Sequence, residues 1–463
     1  MQTSHSCNKT TSLLTTVSIL SLLILSATAH AQRMKFDWSG SPALHKVCNE
    51  SFLKESAVIL SEKVQFNIQT DKKEGAVVTR RLHKLIKVID EKGIEIYNKI
   101  NIAYYSDYPI SEIKARCILP SGKVIELKPD AFKDLKEEDG SLKKIFAIEG
   151  IEKGAEIEYM VTMKQPLRFY GSYVFQDFVP TCSSEFEILS PAHLLFEMKG
   201  YNDVKIETDT LMGEVRSVYG KAENLPGLEE EKMASYLPHF AQLDYSLAYN
   251  TGTMGKNIRI LTWDEAAKKI YKNYFDVPEK DMKELKKLLT QNKEFMACSN
   301  MAEKQEWIEN YVKSNFVLQT NLDNEDVETI PFILKNKFSN SNGMKYLFVA
   351  LFISQDIPFD LGYTTNRMTK PFDYSFANWD NLKNCVLYFP DTKRYMAPTE
   401  FGYRMPYIPA TWCNNASMFC KVLSLGEVKA AHAEKRMIPE FSAETNYHNH
   451  DVEVNFTAGM DST

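Results

Sequence analysis

The stretch SNSNGMKYLFVALF, residues 339–352, predicts a helix that is central to the second half of the chain. Its apolar residues recur at the spacing of one helix face: Leu347, Phe348, Leu351 and Phe352. Such a stripe is typical of a helix that turns one side to a core. The polar residues before the stripe mark the start, because an Asn such as Asn342 is a favoured N-cap. We therefore predict a buried helix that follows Asn342.

Helical patterns come before this stretch and strand patterns come after it. Thr262-Trp263-Asp264-Glu265 is a capping box, which predicts a helix through Tyr271. Two more helices are predicted, from Pro278 to about Leu289 and over residues 302–316. Three strands are predicted afterwards: Phe359–Tyr363, Lys383–Phe389 and Lys393–Met396. This order predicts an α+β domain in which the helices precede the sheet.

Two further stretches, LKNCVLYF (382–389) and RYMAPT (394–399), complete a pattern with residues 339–352. From about Thr262 to Val422 the chain resembles a bacterial transglutaminase-like domain, which has the papain-type thiol fold. In that family a Cys attacks an acyl carbon, a His takes and returns the proton, and an Asp orients the His. The positions that match these three residues are Asn342, Asn384 and Ala397.

The resemblance therefore implies a domain whose three catalytic positions are degenerate. The asparagine side chains have no nucleophilic sulfur, and their amides neither take up nor release a proton near neutral pH. The methyl group of Ala397 can neither attack a substrate nor hydrogen-bond to orient a base. No histidine lies between His239 and His432. The nearby Ser339 and Ser341 consequently have no general base in this domain, which a serine nucleophile requires.

The first half of the chain predicts β-structure over residues 55–200. Val64, Phe66 and Ile68 alternate with polar neighbours, and many short strands of this kind predict an antiparallel β-sandwich. Three blocks resemble the β-domain of unknown function that often precedes transglutaminase-like domains in secreted bacterial proteins: SEIKARCILPSGKVIEL (111–127), IEKGAEIEYMV (151–161) and FQDFVPTCSSEFEILSP (175–191). This resemblance covers roughly residues 50–245 and implies no catalytic residue.

The N-terminus has the pattern of a secretory signal peptide. Residues 17–27 form an apolar run, and Ala29-His30-Ala31 follows as a small-x-small cleavage site. The run is shorter than the roughly 20 residues that a membrane-spanning helix needs. We expect cleavage after Ala31 and an exported protein, either periplasmic or at the cell surface or secreted. The mature chain is expected to have no transmembrane segment.

Composition narrows the classes of partner. The 463 residues include 44% hydrophobic and 25% charged residues, which is typical of globular domains. The formal net charge is −6 and no basic face is evident, so nucleic acid is not an expected partner. A protein, peptide or glycan ligand remains open.

The cysteines and histidines predict neither a disulfide framework nor a cofactor. Seven cysteines follow the signal peptide at wide spacings. Cys413 and Cys420 could pair with each other, or serve as buried free thiols. Cys385 adjoins Asn384 on a predicted strand, so its side chain is expected on the opposite face. His448 and His450 could chelate a metal on a strand, but a solvated turn is the simpler interpretation, and no metal site is predicted.

Aromatic and amide residues cluster in sequence where the family has its groove. The candidate groove residues are Tyr374, Asn378, Trp379, Tyr403 and Trp412. Flat rings and amides suit a peptide or sugar ligand. Packing in the core and loops explains the same residues equally well.

Together these observations predict an α+β protein with four segments: a signal peptide (1–31), a β-sandwich domain (32–250), a transglutaminase-like domain (251–425) and a tail (426–463) that starts a truncated β-domain. The expected function is that of a secreted or periplasmic non-catalytic binding or interaction scaffold without a cofactor. The alternative is an active acyl transferase or cysteine peptidase that uses other residues, with Cys385 or Cys298 as its thiol.

Overall fold

A computed structural model describes residues 34–442, except 41, 72–74, 138–139, 230–231, 233, 253–257, 323 and 426–427, together with residues 444, 452 and 453. The expected signal peptide and the pair His448 and His450 lie outside the described residues. The chain divides into two compact units. The first extends to Ala234 and includes His239–Ile260, and the second includes Ser235–Pro238 and the chain from Leu261 onward. The division at Ile260 differs from the predicted boundary at 250, because the Ile260 backbone N–H donates to Ala248 of the last strand of the first unit (2.9 Å).

The first unit is built almost entirely of strands. They are β1 (Ala57–Asp71), β2 (Gly75–Val88), β3 (Lys99–Tyr104), β4 (Ile110–Ile118), β5 (Val124–Glu126), β6 (Lys133–Lys136), β7 (Leu142–Ala147), β8 (Glu156–Gln165), β9 (Tyr170–Val174), β10 (Thr181–Pro191), β11 (Leu194–Tyr201), β12 (Lys205–Met212), β13 (Val215–Leu225) and β14 (Gln242–Asn250). One helix, α1 (Glu91–Tyr97), interrupts them after β2. A large sheet has the order β12-β13-β10-β1-β2-β8-β4-β5, and two smaller sheets have the orders β11-β14-β9 and β3-β7-β6.

The prediction of an antiparallel sandwich needs one correction. Strands β1 and β10 are parallel, with Val64 opposite Phe186, whereas the other pairs of the large sheet are antiparallel. Alternating hydrophobicity shows which side of a strand is buried, but it carries no information on the direction of the neighbouring strand. The parallel pair therefore could not be seen in the sequence.

Both small sheets pack on the same face of the large sheet. Tyr173 of β9 stacks on Phe186 of β10 at 4.7 Å between ring centroids, and Phe146 of β7 meets Tyr159 of β8 edge-on at 6.0 Å. Strand pairing places Phe186 and Tyr159 on one face of the large sheet. Aromatic contacts of this kind add to the burial of apolar area, so they fix the two layers against each other. The β-rich architecture predicted for this part of the chain is confirmed.

The opposite face of the large sheet is polar, and a segment near the start of the described chain lies against it. Arg116, which is 1% exposed, donates to the Glu158 carboxylate at 2.6 Å, and the Arg116 guanidinium lies 4.1 Å from the centre of the Trp38 ring. His83 Nε2 lies 2.7 Å from the same carboxylate. Burial alone raises the pKa of Glu158, but the hydrogen bonds from His83 and Arg116 outweigh it and lower that pKa below its ordinary value.

A disulfide holds the same segment. Cys48, just before β1, is bonded to Cys182 in β10, with 134 residues of sequence separation. This pairing was not predicted, because the cysteines are widely spaced and odd in number, a pattern that does not indicate a disulfide framework. Cys413 and Cys420, which the sequence offered as a possible pair, are both buried free thiols, in agreement with the second interpretation of them.

The second unit places helices before and around a five-stranded sheet. Its helices are α2 (Trp263–Tyr274), α3 (Glu279–Thr290), α4 (Lys293–Met296), α5 (Met301–Asn315), α6 (Ile330–Asn336) and α7 (Ser341–Ser354). Its strands are β15 (Val317–Leu318), β16 (Phe338–Ser339), β17 (Asp360–Thr364), β18 (Asn384–Phe389), β19 (Arg394–Met396), β20 (Asn415–Leu425) and β21 (Val428–Ile438). The sheet order is β19-β18-β17-β20-β21, and β15 and β16 form a separate pair. The mixed α+β class predicted for the chain is confirmed.

Helix α7 is the centre of this unit, as its apolar stripe predicted. Leu347, Phe348, Leu351 and Phe352 are all 0% exposed and belong to one cluster with Leu361, Cys385, Leu387 and Phe389 of the sheet. Burial of a side chain of this size stabilises a fold by about 1.5–3 kcal/mol. The helix and the sheet therefore hold each other in place and fix the position of the helix start.

The predicted boundary at residue 425 falls between two paired strands. β20 and β21 are antiparallel over their whole length, from Asn415 opposite Ile438 to Leu425 opposite Val428. The residues Met437 and Ile438, which sequence reasoning assigned to the start of a further β-domain, thus complete the sheet of the second unit. β21 is thus the antiparallel neighbour of β20 at the edge of this sheet, and it comes from the next segment of the same chain.

Candidate functional site

A cleft of about 530 Å³ opens at the start of helix α7. Helices α2, α3, α6 and α7 and the segment 325–329 contribute to its wall. The lining residues are Asn273, Tyr274, Pro278, Asp281, Glu325, Glu328, Thr329, Ile330, Asn342 and Tyr346. Because the cleft contains the position matched to the nucleophile of the transglutaminase-like family, it is the candidate site of this unit.

The helix start corrects the predicted role of Asn342. The N-cap is Asn340, whose side-chain oxygen accepts from the Gly343 backbone N–H (2.9 Å), so the helix begins two residues earlier than predicted. A Cβ at Gly343 would lie 1.9 Å from Ser339 Oγ, so only glycine fits there. The stretch holds two asparagines that can cap, and the sequence alone did not distinguish them.

Asn342 instead belongs to a polar network on the cleft wall. Its side chain is exposed, its oxygen accepts from the Tyr274 hydroxyl (3.3 Å), and its amide donates to Glu328 Oε1 (3.2 Å). Asn340 donates to the same Glu328 oxygen at 2.8 Å. Glu328 is thereby held at the positive end of the helix, where a carboxylate is favourable.

The cleft is acidic. Asp281, Glu325 and Glu328 line it, and none of the described lining residues is a Lys, Arg or His. Tyr274 and Tyr346 add two aromatic rings to the wall. Carboxylates attract cations through charge and aromatic faces attract them through the ring quadrupole; the ammonium of Lys345 already lies 5.5 Å from the centre of the Tyr274 ring.

The serines beside the helix start do not form a nucleophilic site. Ser339 is 0% exposed and donates to the Val327 carbonyl (2.6 Å), so its hydroxyl is occupied in the interior. Ser341 is the first residue of the helix and is half-buried. His432, the one described histidine of the second unit, lies on β21, and no hydrogen bond joins it to either serine among the described residues.

Cys385 lies in the core that supports the cleft. It is 1% exposed on β18 opposite Tyr363 of β17. Burial raises the pKa of the Cys385 thiol to about 12, although the nearby Lys345 ammonium opposes this. Burial also raises the pKa of Tyr363 well above its usual value. A thiol with a raised pKa stays protonated near neutral pH and is a poor nucleophile.

No histidine can assist this thiol among the described residues of the second unit. Their one histidine, His432, is on β21, and two strands, β17 and β20, separate β21 from β18. Neighbouring strands are about 4.8 Å apart, so His432 is roughly 14 Å or more from Cys385. A proton transfer needs direct contact or one bridging water, which this distance does not allow.

Cys298, the other candidate thiol, is also poorly activated. Its Sγ lies 3.5 Å from the Glu294 carbonyl. Burial, with a smaller contribution from Glu303, raises the pKa of Cys298. It does not line the cleft.

The remaining two triad positions do not meet Asn342 at the cleft. Asn384, with its amide oriented to suit its neighbours, accepts from the Asn366 backbone N–H (3.0 Å) and from Trp412 Nε1 (3.2 Å). Ala397 is 0% exposed in a cluster with Val386 and Trp412, whereas Cys385 belongs to the cluster of helix α7. The prediction that Asn384 and Cys385 face opposite sides of the sheet therefore agrees with their contacts. The three positions matched from the sequence do not line a common cavity.

The five predicted groove residues are also dispersed. Trp379 donates to the Thr262 carbonyl (3.1 Å), and Tyr374 stacks on Trp263 at 5.7 Å. Asn378 is 0% exposed and caps a short 3-10 helix, and Trp412 is buried beside Asn384. Tyr403 is 39% exposed, and its carbonyl accepts from Lys313. Packing thus explains four of them, and sequence reasoning missed the acidic residues that line the actual cleft.

Comparison with known proteins finds a family model that matches part of the first unit. Residues 77–227 match the DUF3857 family, described as a domain of unknown function with a solved structure. The match lies within the β-domain that the sequence resembled over residues 50–245. No curated protein sequence gives a significant match.

A solved structure among those that match has a similar fold. It is a protein of Parabacteroides distasonis ATCC 8503 described as a "putative protease", with a TM-score of 0.55 and 14% sequence identity over 74% of this chain and 67% of that chain. A two-domain M1 zinc metallopeptidase variant, with L-tryptophan or L-arginine bound, matches with a TM-score of 0.24 in both cases, at 5% and 7% identity. The two matches cover 41% of this chain and 43% and 42% of those chains, and they carry no argument.

Two other classes of site are absent from the described part of the chain. No described helix has the length and apolar character needed to span a bilayer. Within the described ranges, no three His, Cys, Asp or Glu side chains are arranged to hold a metal ion.

Proposed function

We propose that this chain is an exported, non-catalytic binding protein whose second unit is a transglutaminase-like domain without its catalytic groups. The observation that carries the proposal is the environment of Cys385. This thiol is close to the start of the central helix, but it is buried, its pKa is raised, and the described histidine of the unit is on a distant strand. At the helix start itself, two asparagines and a carboxylate take the place of reactive groups.

Two observations support export. The N-terminal sequence has the pattern of a signal peptide. The bond between Cys48 and Cys182 is of a kind that persists in oxidising compartments such as the bacterial periplasm and is rare in the cytosol.

The cleft indicates the chemistry of the ligand. Its wall combines three carboxylates with two tyrosines and two asparagines. A peptide with a lysine or arginine side chain satisfies both the charge and the rings, whereas a neutral glycan uses only the rings and amides. We therefore propose a cationic peptide segment as the ligand of the second unit.

The first prediction concerns activity. The purified protein should not hydrolyse casein, and it should not transfer a fluorescent amine to a glutamine donor. Any background reaction should be the same with and without iodoacetamide, which alkylates reactive thiols. A buried, protonated thiol without a base has no means of attacking an acyl carbon. Fluorescence and gel electrophoresis report the two reactions, and a commercial transglutaminase serves as the positive control.

One outcome would overturn the proposal in favour of an acyl transferase or cysteine peptidase. It is activity that iodoacetamide abolishes and that is lost in Cys385→Ser or Cys298→Ser. The fold shared with the structure described as a protease is the observation behind this alternative.

The second prediction concerns the cleft. A labelled acetyl-trilysine amide should bind about threefold to tenfold more weakly to Asp281→Asn than to the unsubstituted protein, because one of three attracting charges is removed. Fluorescence polarisation at low salt measures the affinity, and added salt should weaken it.

Glu284→Gln is the matched control, since it removes the same charge from the same helix at an exposed position outside the cleft. It should bind the peptide as the unsubstituted protein does. Equal weakening by both substitutions would mean that trilysine responds only to overall charge, and would remove the cleft from the proposal. Tighter binding of a neutral N-acetylglucosamine trimer than of trilysine would replace the peptide with a glycan.

A further inference from the structure

The first unit has a sheet edge that is only partly covered. Strand β4 pairs with β8 from Ile110 to Ile118, but on its other side β5 pairs only with Arg116, Cys117 and Ile118. No other described strand pairs with the remaining part of that edge. Ser111, Glu112 and Lys114 are exposed along it.

The hydrogen bonds beside β5 show which backbone groups are open. The Leu127 N–H donates to the Ala115 carbonyl (2.9 Å), so residue 115 directs its backbone groups away from β8. In a strand this direction alternates from one residue to the next, so residues two positions apart point the same way. Residue 113 therefore directs both its N–H and its carbonyl away from β8, as residue 115 does. The irregularity between Ile110 and Glu112 lies before this pair of groups. Leu127 already lies beside Ala115, so the open groups are the Ile113 N–H and carbonyl, which form a short template for one more strand.

A groove of about 430 Å³ runs along this edge. It is lined by all six residues from Ile110 to Ala115 and by residues from both sides of the sheet: Trp38, Glu126, Leu127, Pro129, Phe132 and Lys144. Trp38 is on one face, where it contacts Arg116. Phe132 is on the other face, where it contacts Phe146, which in turn meets Tyr159 of β8.

We propose that the groove binds an extended peptide of a partner protein by adding it as a strand to β4. Alternate side chains of such a strand point to opposite faces, so one set meets Trp38 and the other meets Phe132. Each wall includes one aromatic ring, which favours a peptide with apolar residues on both faces over the open stretch, and the charged Glu126 and Lys144 also line the groove. Because the two walls flank the edge, the groove admits a lone strand more readily than an edge strand with a sheet behind it.

The inference does not depend on the cleft of the second unit, and its test uses the full mature chain. The probe is a fluorescein-labelled heptapeptide of five valines with a lysine at each end, which is apolar on both faces over its central residues, and fluorescence polarisation measures its binding. The matched variants are Ile113→Pro and Ile113→Ala. Both remove the Ile113 side chain, but only proline removes the outward N–H, and at this edge position it breaks no bond to β8.

We expect the Ile113→Pro variant to bind the peptide at least tenfold more weakly than the Ile113→Ala variant does. Trp38→Ala should bind the peptide more weakly than the unsubstituted protein does. A peptide methylated at every backbone amide should not bind. Equal affinities of the proline and alanine variants would overturn the proposal, as would binding of the methylated peptide. If circular dichroism shows that the proline variant is unfolded, the methylated peptide still tests the proposal, because strand addition requires the backbone N–H groups that it lacks. If the unsubstituted protein self-associates and the associated form does not bind the peptide, the edge belongs to an interface with a second copy. That result would overturn the proposal of a partner peptide.

Discussion

Replacement of Glu309 by alanine should lower the free energy of unfolding of the second unit by about 3–5 kcal/mol, the range found when one partner of a buried ion pair is removed. Lys313 and Glu309 form this pair on helix α5, at 2.7 Å, with side chains 0% and 2% exposed. The same lysine donates to the Glu400 and Tyr403 carbonyls, and Glu309 also accepts from the Met405 N–H (2.7 Å). The substitution therefore leaves a buried ammonium and a buried N–H without their acceptor.

The pH dependence of this loss has a definite sign. Burial lowers the pKa of Lys313 below its ordinary value, although Glu309 opposes the shift. Without Glu309 the charged form is less favourable still in the folded state. The folded variant then binds its proton less tightly than the unfolded chain, so its stability should rise as the pH is raised toward 10. The loss of unfolding free energy caused by Glu309→Ala should consequently be smaller near pH 10 than at pH 7.

Urea unfolding followed by tryptophan fluorescence and circular dichroism measures the effect, analysed as a separate transition for the second unit. Glu279→Ala is the matched control. It removes a glutamate from a Lys–Glu pair of the same spacing, but one whose side chains are 75% and 82% exposed, so the change should be small. A similar loss in both variants would show that burial of the Glu309 pair contributes nothing.

The double variant Cys48→Ala/Cys182→Ala should lose about 2–5 kcal/mol of stability in the first unit, as is usual when a native disulfide is removed. The bond closes a long loop, with a sequence separation of 134 residues, and so restricts the unfolded chain strongly. It also ties the segment that contains Trp38 to the sheet. Thermal unfolding without reductant measures the loss.

Cys298→Ala is the control, since it removes a half-buried free thiol from the other unit. The first transition should be unchanged in that variant. Mass spectrometry of an unreduced digest should find the peptides of Cys48 and Cys182 linked. An unlinked pair in protein purified from an oxidising compartment would contradict both the bond and its support for export.

The sequence predicted what depends on local pattern. The stripe at Leu347, Phe348, Leu351 and Phe352 specified a core helix, and the capping box at Thr262 specified the start of α2, where the Thr262 hydroxyl does accept from the Glu265 N–H (3.1 Å). These signals act within one or two turns of chain, and no distant residue can easily reverse them.

The rest depended on contacts between residues far apart in sequence. Three carboxylates of the cleft come from two different segments, and each looks like an ordinary polar residue near a helix start. The aromatic residues near 374–412 suggested a groove, but their partners, such as Trp263 and Asn384, became visible only in three dimensions. Asn340 and Asn342 have the same capping chemistry and both donate to Glu328, but the Asn340 oxygen accepts from the Gly343 N–H, whereas the Asn342 oxygen accepts from the Tyr274 hydroxyl.

The parallel arrangement of β1 and β10 has a consequence for how the chain matures. The first long strand cannot complete its pairing until residues 181–191 have been made. Contacts between such distant residues slow folding, and in the meantime a strand edge stays exposed to other chains. A protein of this topology should therefore gain from a holding chaperone, and the bond between Cys48 and Cys182 would hold the two strands together once they have paired.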